Sequence, residues 1–105
     1  MNHPAQLNPL AEMQAHAQEA AALLKALANE NRLMILCTLL EGEMSVGELN
    51  TNVPLSQSAL SQHLASLREA GLVSTRKEAQ TVYYQLQGEE AQKIIAVLQS
   101  IYCPV

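Results

Sequence analysis

The sequence predicts a mainly α-helical domain: four helices, a two-stranded β-hairpin, then a fifth helix. Three observations carry this. The chain holds 17 Leu and 15 Ala, both strong helix formers. Apolar residues recur at spacings of three and four over most of its length, and switch to alternation only between Leu72 and Leu86. Capping and breaking residues (Asn29, Ser45, Ser56, Gly71, Gly88) stand where the pattern changes.

Met1 to Pro9, with two prolines, reads as a flexible tail, and residues 10–105 as one domain. Leu10, Met13, Ala17, Ala20, Leu24 and Leu27 then mark a first helix to Ala28. Asn29 is placed to cap a second, Glu30 to Leu40. Its stripe is Leu33, Leu36, Cys37 and Leu40, but Met34, Ile35 and Leu39 make it apolar nearly all round, which predicts burial at the centre of the domain. Ser45-Val46-Gly47-Glu48 has the form of a capping box opening a short helix to about Asn52. Pro54 breaks it. Ser56 caps the next helix, with Leu55 and Leu60 as a hydrophobic staple, and Gly71 ends it. Leu60, Leu64 and Leu67 form its inner stripe; Ser58, Gln62 and Ser66 point the opposite way, with Gln57, Ser61 and His63 on the flanks. Leu72–Lys77 and Thr81–Leu86 alternate and are rich in Val, Thr and Tyr, which predicts strands joined by a turn at Lys77–Gln80. Glu89–Tyr102 is a final amphipathic helix with Ile94, Ile95, Val97, Leu98 and Ile101 on its apolar side.

Composition narrows the function. At 105 residues and 11.4 kDa the chain is one domain. It has no Asp, Phe or Trp, and its three Tyr are Tyr83, Tyr84 and Tyr102. Without Asp there are no Asp-based magnesium or calcium sites, no aspartyl nucleophile and no Ser-His-Asp triad. A Gly-rich phosphate loop is missing too, so an enzyme is not expected. No apolar run approaches the ~18–20 residues of a membrane span, and Met1–Leu10 lacks the pattern of a secretory signal. The expectation is a cytoplasmic protein without membrane contact, in which two Cys are core fillers, metal ligands or redox groups.

The short helix, the Val53-Pro54-Leu55 turn and the helix after it fit a helix-turn-helix, and the hairpin fits a wing. The second helix of such a unit presents its N-terminal residues to base edges in the major groove of double-stranded DNA. Here these are Gln57, Ser58, Ser61, Gln62 and His63, all suited to hydrogen bonding with bases. No Lys, Arg or Glu lies between Ser56 and Ser66, whereas a merely solvated helix carries i, i+4 charge pairs. Arg68, Arg76 and Lys77, with Gln80 at the turn, are the phosphate-side candidates. The net charge of −4 argues the other way, and leaves a protein-interaction module that never touches DNA as the alternative.

Leu55-Ser-Gln-Ser-Ala-Leu-Ser-Gln-His-Leu64 resembles the recognition helix of the arsenic-repressor/SmtB family of winged helix-turn-helix regulators. Leu27-Ala-Asn-Glu-Asn-Arg-Leu-Met-Ile-Leu36 resembles the segment opening that family's second helix, and Gly71-Leu-Val and Thr81-Val-Tyr-Tyr-Gln-Leu86 resemble its wing. The nearest likeness is to the HlyU-type subgroup, regulators of haemolysin and virulence genes, with related sensors of reactive sulfur. The resemblance implies a winged fold of order α-α-α-α-β-β-α, a homodimer through the first and last helices, and a palindromic operator. It leaves two modes of action open, plain repression and competition with a nucleoid-silencing protein.

Metal sensing, common among such relatives, is not expected. One family site places Cys-x-Cys beside a Glu-Leu pair; after Glu48-Leu49 this chain has Asn50 and Asn52, poor ligands for a thiophilic metal. The last helix has no His or Asp for the other site, and His16 reads as a surface or dimer-interface residue. No cofactor is expected. Cys37 alone reads as a small buried hydrophobe, while Cys103, near the C-terminus, is less sheltered. The HlyU-type resemblance implies a dithiol pair, Cys37–Cys103, acting as a redox switch. A non-redox regulator of the same family is the remaining reading.

Overall fold

Side-chain caps set the starts of the first four helices. The computed structural model describes residues 8–104, in the order α1 (Pro9–Leu27), α2 (Glu30–Leu39), β1 (Met44–Ser45), α3 (Val46–Asn52), α4 (Gln57–Glu69), β2 (Val73–Glu78), β3 (Thr81–Leu86) and α5 (Glu90–Tyr102). Asn8 caps α1, its Oδ1 accepting from Ala11 N at 3.2 Å, and Pro9 takes the first helical position, where a missing N–H costs nothing. Pro9 therefore belongs to the helix and Asn8 caps it, where the sequence predicts a tail. The rest of that tail, residues 1–7, lies outside the described residues.

The α1–α2 junction explains the Leu27–Leu36 motif. Asn29 Oδ1 accepts from the N–H groups of Asn31 and Arg32 at 2.9 and 3.0 Å. Arg32 reaches back, donating through Nε to Ala26 O at 2.7 Å and through Nη2 to Lys25 O at 3.4 Å. One residue caps α2, and the other sets a cation on the last carbonyls of α1, where the helix dipole favours it.

Helix α2 is central, contacting α1, α3, α4, α5 and β3. Its buried side is not the expected stripe. Ile35, Leu36, Thr38 and Leu39 are buried, Leu33 and Cys37 are half-buried, and Leu40 is exposed. A helix apolar on nearly every side carries no periodicity to orient it, so its neighbours decide. Thr38 is tolerated because its hydroxyl donates to Met34 O at 2.7 Å.

Three strands form the sheet, in the order β1-β3-β2, not the two expected. Met44 and Ser45 pair antiparallel with Tyr84 and Tyr83; two residues are too short to show alternation. The hairpin register runs from Val73↔Leu86 to Glu78↔Thr81; Lys77 is a strand residue as the bounds of the first strand predict, Glu78 extends that strand into the expected turn, and the loop is Ala79-Gln80. The capping box at α3 is complete: Ser45 Oγ accepts from Glu48 N at 3.2 Å and Ser45 N donates to Glu48 Oε1 at 2.8 Å. Helix α4 ends in a Schellman motif, with Leu72 N bonded to Leu67 O, Gly71 N to Arg68 O, and Gly71 at φ +78.

The core joins Ile35 and Leu36 of α2, Leu49 of α3, Leu60, Leu64 and Leu67 of α4, Val73 of β2 and Ile95 of α5. Several large apolar residues stay outside it: Leu10, Met13 and Leu24 on α1, and Val97, Ile101 and Tyr102 on α5. Of the apolar side expected for α5, only Ile95 is buried; Ile94 and Leu98 are half-buried. The radius of gyration is 16.5 Å, above the ~13 Å of a compact globule this size, because α1 is long and mostly uncovered.

Candidate nucleic-acid interface and thiol groove

Helix α4 divides cleanly. Its buried face is Leu60, Leu64 and Leu67; Gln57, Ser58, Ser61, Gln62 and Arg68 are exposed, and His63 is half-buried. Ser56 Oγ accepts from Ala59 N at 3.2 Å and fixes the start of the helix, so the Gln57–Gln62 side chains project from its first two turns. These uncharged donors and acceptors suit base edges.

The pitch between α3 and α4 is held by Asn50. Its Nδ2 donates to Val53 O at 3.1 Å and to Leu55 O at 2.9 Å, across the turn. Asn52 Nδ2 donates to Glu48 O at 3.3 Å. From the sequence these asparagines are poor metal ligands, and the brace that Asn50 forms is not apparent. An Asn in the last turn of a short helix, four residues before Pro54 and able to bond local backbone, is the available signal.

The wing sorts its cations by strand alternation. Lys77 shares a face with Val73 and Thr75, which pack towards the core; Arg76 lies on the opposite face with Ser74 and Glu78. Arg76 is fully engaged there. Its Nε and Nη2 grip Glu43 Oε2 and Oε1 at 2.8 and 2.7 Å, Nη1 meets Glu78 Oε1 at 2.8 Å, and the guanidinium sits 4.8 Å from the Tyr83 ring centroid. The Glu43 hydrogen bond, then that of Glu78, holds Arg76 protonated more firmly than usual. The hydrogen bond from Arg76, helped by its charge, holds the Glu43 carboxyl below the ordinary carboxylate range. Among the described residues, Lys77 and Arg68 form no ion pair. Gln80 is exposed in the hairpin loop, beside Ala79 at φ +55.

Cys37 and Cys103, both free thiols, line one groove of about 400 Å³ between α2 and α5, walled by Leu33, Met34, Ile95, Leu98 and Tyr102. Cys37 is half-buried on α2; Cys103 caps the end of α5 and is exposed. Burial, and then the neighbouring Cys103 sulfur, push the Cys37 thiol pKa up. Among the described residues no three His, Cys, Asp or Glu side chains gather as a metal would require. His16 instead meets Glu19 Oε1 at 2.8 Å on exposed α1, and His3 lies outside the described residues. No described helix is long and apolar enough to cross a membrane.

Comparison with known proteins places this geometry. The sequence pattern described as "Bacterial regulatory protein, arsR family" matches residues 29–75. The transcriptional activator HlyU of Vibrio cholerae is 58% identical over 94 residues, 90% of this chain and 87% of that protein. The solved structure of reduced HlyU from the same organism superposes with a TM-score of 0.81 at 59% identity, covering 88% of this chain and 97% of that one. The transcriptional repressor BigR of Xylella fastidiosa gives a TM-score of 0.87 at 41% identity, covering 93% and 100%. A homodimeric winged helix-turn-helix DNA-binding domain from Mycobacterium bovis gives 0.75 at 34% identity, covering 85% and 82%.

Proposed function

The chain belongs to the arsR family of bacterial regulatory proteins, and from that premise we propose a homodimeric cytoplasmic regulator whose grip on a palindromic operator is controlled by the Cys37–Cys103 dithiol. That it is a DNA-binding transcriptional regulator follows from the family. The finer reading rests on one observation above all: the exposed side of α4 from Gln57 to Gln62 offers hydrogen-bonding groups without a charge. Gln57, Ser58, Ser61, Gln62 and His63 read bases; Arg68, Lys77 and Gln80 contact the backbone. Replacing Gln57 or Ser61 by Ala should weaken operator binding by ~1–3 kcal/mol and leave non-specific binding nearly unchanged. If Gln57→Ala, Ser61→Ala and His63→Ala all keep full operator affinity, α4 does not read the sequence.

A dimer through α1 and α5 gives the uncovered Leu10, Met13, Leu24, Val97 and Ile101 a place to bury. It also sets two recognition helices about 34 Å apart, one DNA turn, which makes the operator palindromic. The homodimeric Mycobacterium bovis domain supports this.

The switch is supported by the shared groove of the two thiols. A hydroperoxide oxidises the pair: one thiolate sulfur takes its distal oxygen as a sulfenic acid, the second thiolate displaces that oxygen as water, and the sulfurs join directly. With a polysulfide, the exposed Cys103 thiolate displaces a shorter polysulfide and keeps the transferred sulfur atoms. Cys37, losing its proton, attacks that chain, closes the bridge and expels the remaining sulfur as hydrosulfide. The bridge ties α5 to α2 and shifts the recognition helices; a tenfold change in operator affinity needs only ~1.4 kcal/mol. Polysulfide should weaken DNA binding by the wild type and not by Cys37→Ser, and equal responses would sink the switch. Targets in virulence or the response to reactive sulfur are proposed on the HlyU likeness alone. One relative is named an activator and another a repressor, so displacement of a nucleoid-silencing protein and plain repression are separated by transcription from the bound operator with and without that silencer.

A further inference from the structure

We propose that Arg76 and Glu43 are positioning residues for DNA binding: their ion pair is a strut across the outer face of the wing that fixes its pitch, and neither residue touches DNA. The inference rests on the DNA-binding reading above and goes beyond it.

The strut spans the whole sheet. Arg76 starts on β2, its guanidinium passes over Tyr83 of the middle strand, and it ends on Glu43, the residue leading into β1. Both Glu43 oxygens are held, the bidentate geometry that favours Arg over Lys. Glu78 takes a third donor from the same strand. The guanidinium is thus neutralised by two carboxylates and faces away from Lys77. A cation in that state has little left for a phosphate. Instead it ties the hairpin to the segment that opens α3, and so sets the angle at which Lys77 and Gln80 meet the DNA backbone. Without the strut the wing must be ordered on binding, and that cost appears as lost affinity. The side chains of Arg76 and Glu43 are 45% and 28% exposed, so the effect is bounded near that of a well-formed surface pair, about fivefold in affinity.

The test is duplex binding as a function of salt, with far-UV circular dichroism confirming each fold. Arg76→Gln, Arg76→Lys and Glu43→Gln should each weaken binding to any duplex by about fivefold while leaving the slope of log affinity against log salt unchanged. The Arg76→Gln/Glu43→Gln double variant should bind no worse than either single one. Lys77→Gln should flatten the slope by about one. A slope flattened by about one in Arg76→Gln, full binding by Arg76→Lys, or additive losses in the double variant would each overturn the strut. A wild-type chain with no salt-dependent affinity would overturn the DNA-binding reading and the strut together, a result distinct from the other three.

Discussion

Asn50 makes the brace between α3 and α4 open to a quantitative test. Its amide satisfies two backbone carbonyls, Val53 O and Leu55 O, at 3.1 and 2.9 Å. Asn50→Ala removes both bonds, each worth about 1 kcal/mol net, and the total loss should be about 2 kcal/mol. Asn50→Asp is sharper. At neutral pH a carboxylate has no proton to donate and faces two carbonyl oxygens, so it should cost about 1 kcal/mol more than Ala. Acidification that protonates the Asp should recover part of that. The assay is urea unfolding by far-UV circular dichroism at one fixed protein concentration, since a dimer's midpoint moves with concentration. Slopes of ~1–3 kcal/mol/M translate the Ala loss into a midpoint drop of about 1 M with the slope unchanged. An Ala variant within about 0.5 kcal/mol of wild type, or an Asp variant as stable as Ala at neutral pH, would refute the brace.

Three further outcomes follow. Gly71→Ala should cost about 1 kcal/mol, because the added Cβ meets nothing within 4 Å and only the φ of +78 opposes it; a loss much larger would show that packing, not backbone strain, sets the cost. Glu43 titrates below its unfolded value, so its contribution is present above the ordinary carboxylate range and lost as pH falls through the lowered folded value; the acid limb of stability against pH should be shallower in Glu43→Gln, and an identical limb would contradict the pairing. Closing a direct Cys37–Cys103 disulfide encloses most of the chain, and should raise stability against urea by up to about 4 kcal/mol if the bridge is unstrained. A bridged form less stable than the reduced one would mean that the link distorts the α2–α5 packing.

What the sequence disclosed followed the range of each interaction. Asn29, Ser45, Ser56 and Gly71 act within a few residues of themselves, and each cap or stop is where local pattern puts it. The polar side of α4 was legible for the same reason, since Leu60, Leu64 and Leu67 fix which way it turns. Strand β1 was not, because Met44 and Ser45 become a strand only through Tyr84 and Tyr83, far along the chain. The Arg76–Glu43 pair joins residues 33 positions apart, so nothing in the local sequence sets Arg76 apart from the other phosphate-side candidates. The facing of α2 was hidden by an excess of signal, every side being apolar. The groove holding Cys37 and Cys103 depends on how α5 lies on α2, which no spacing encodes; only the family likeness pointed to the pair.

Ser45 belongs to two elements at once. Its backbone lies opposite Tyr83 in the sheet, while its hydroxyl and N–H close the box that starts α3. No slack separates the hairpin from the first helix of the reading unit, so a tilt of one is transmitted to the other as through a rigid lever. A single residue inserted after Ser45 would uncouple them, whereas the same insertion at Ala79-Gln80 would merely lengthen the tip. Variation in length should therefore be tolerated at the tip of the hairpin and forbidden at the junction of β1 with α3.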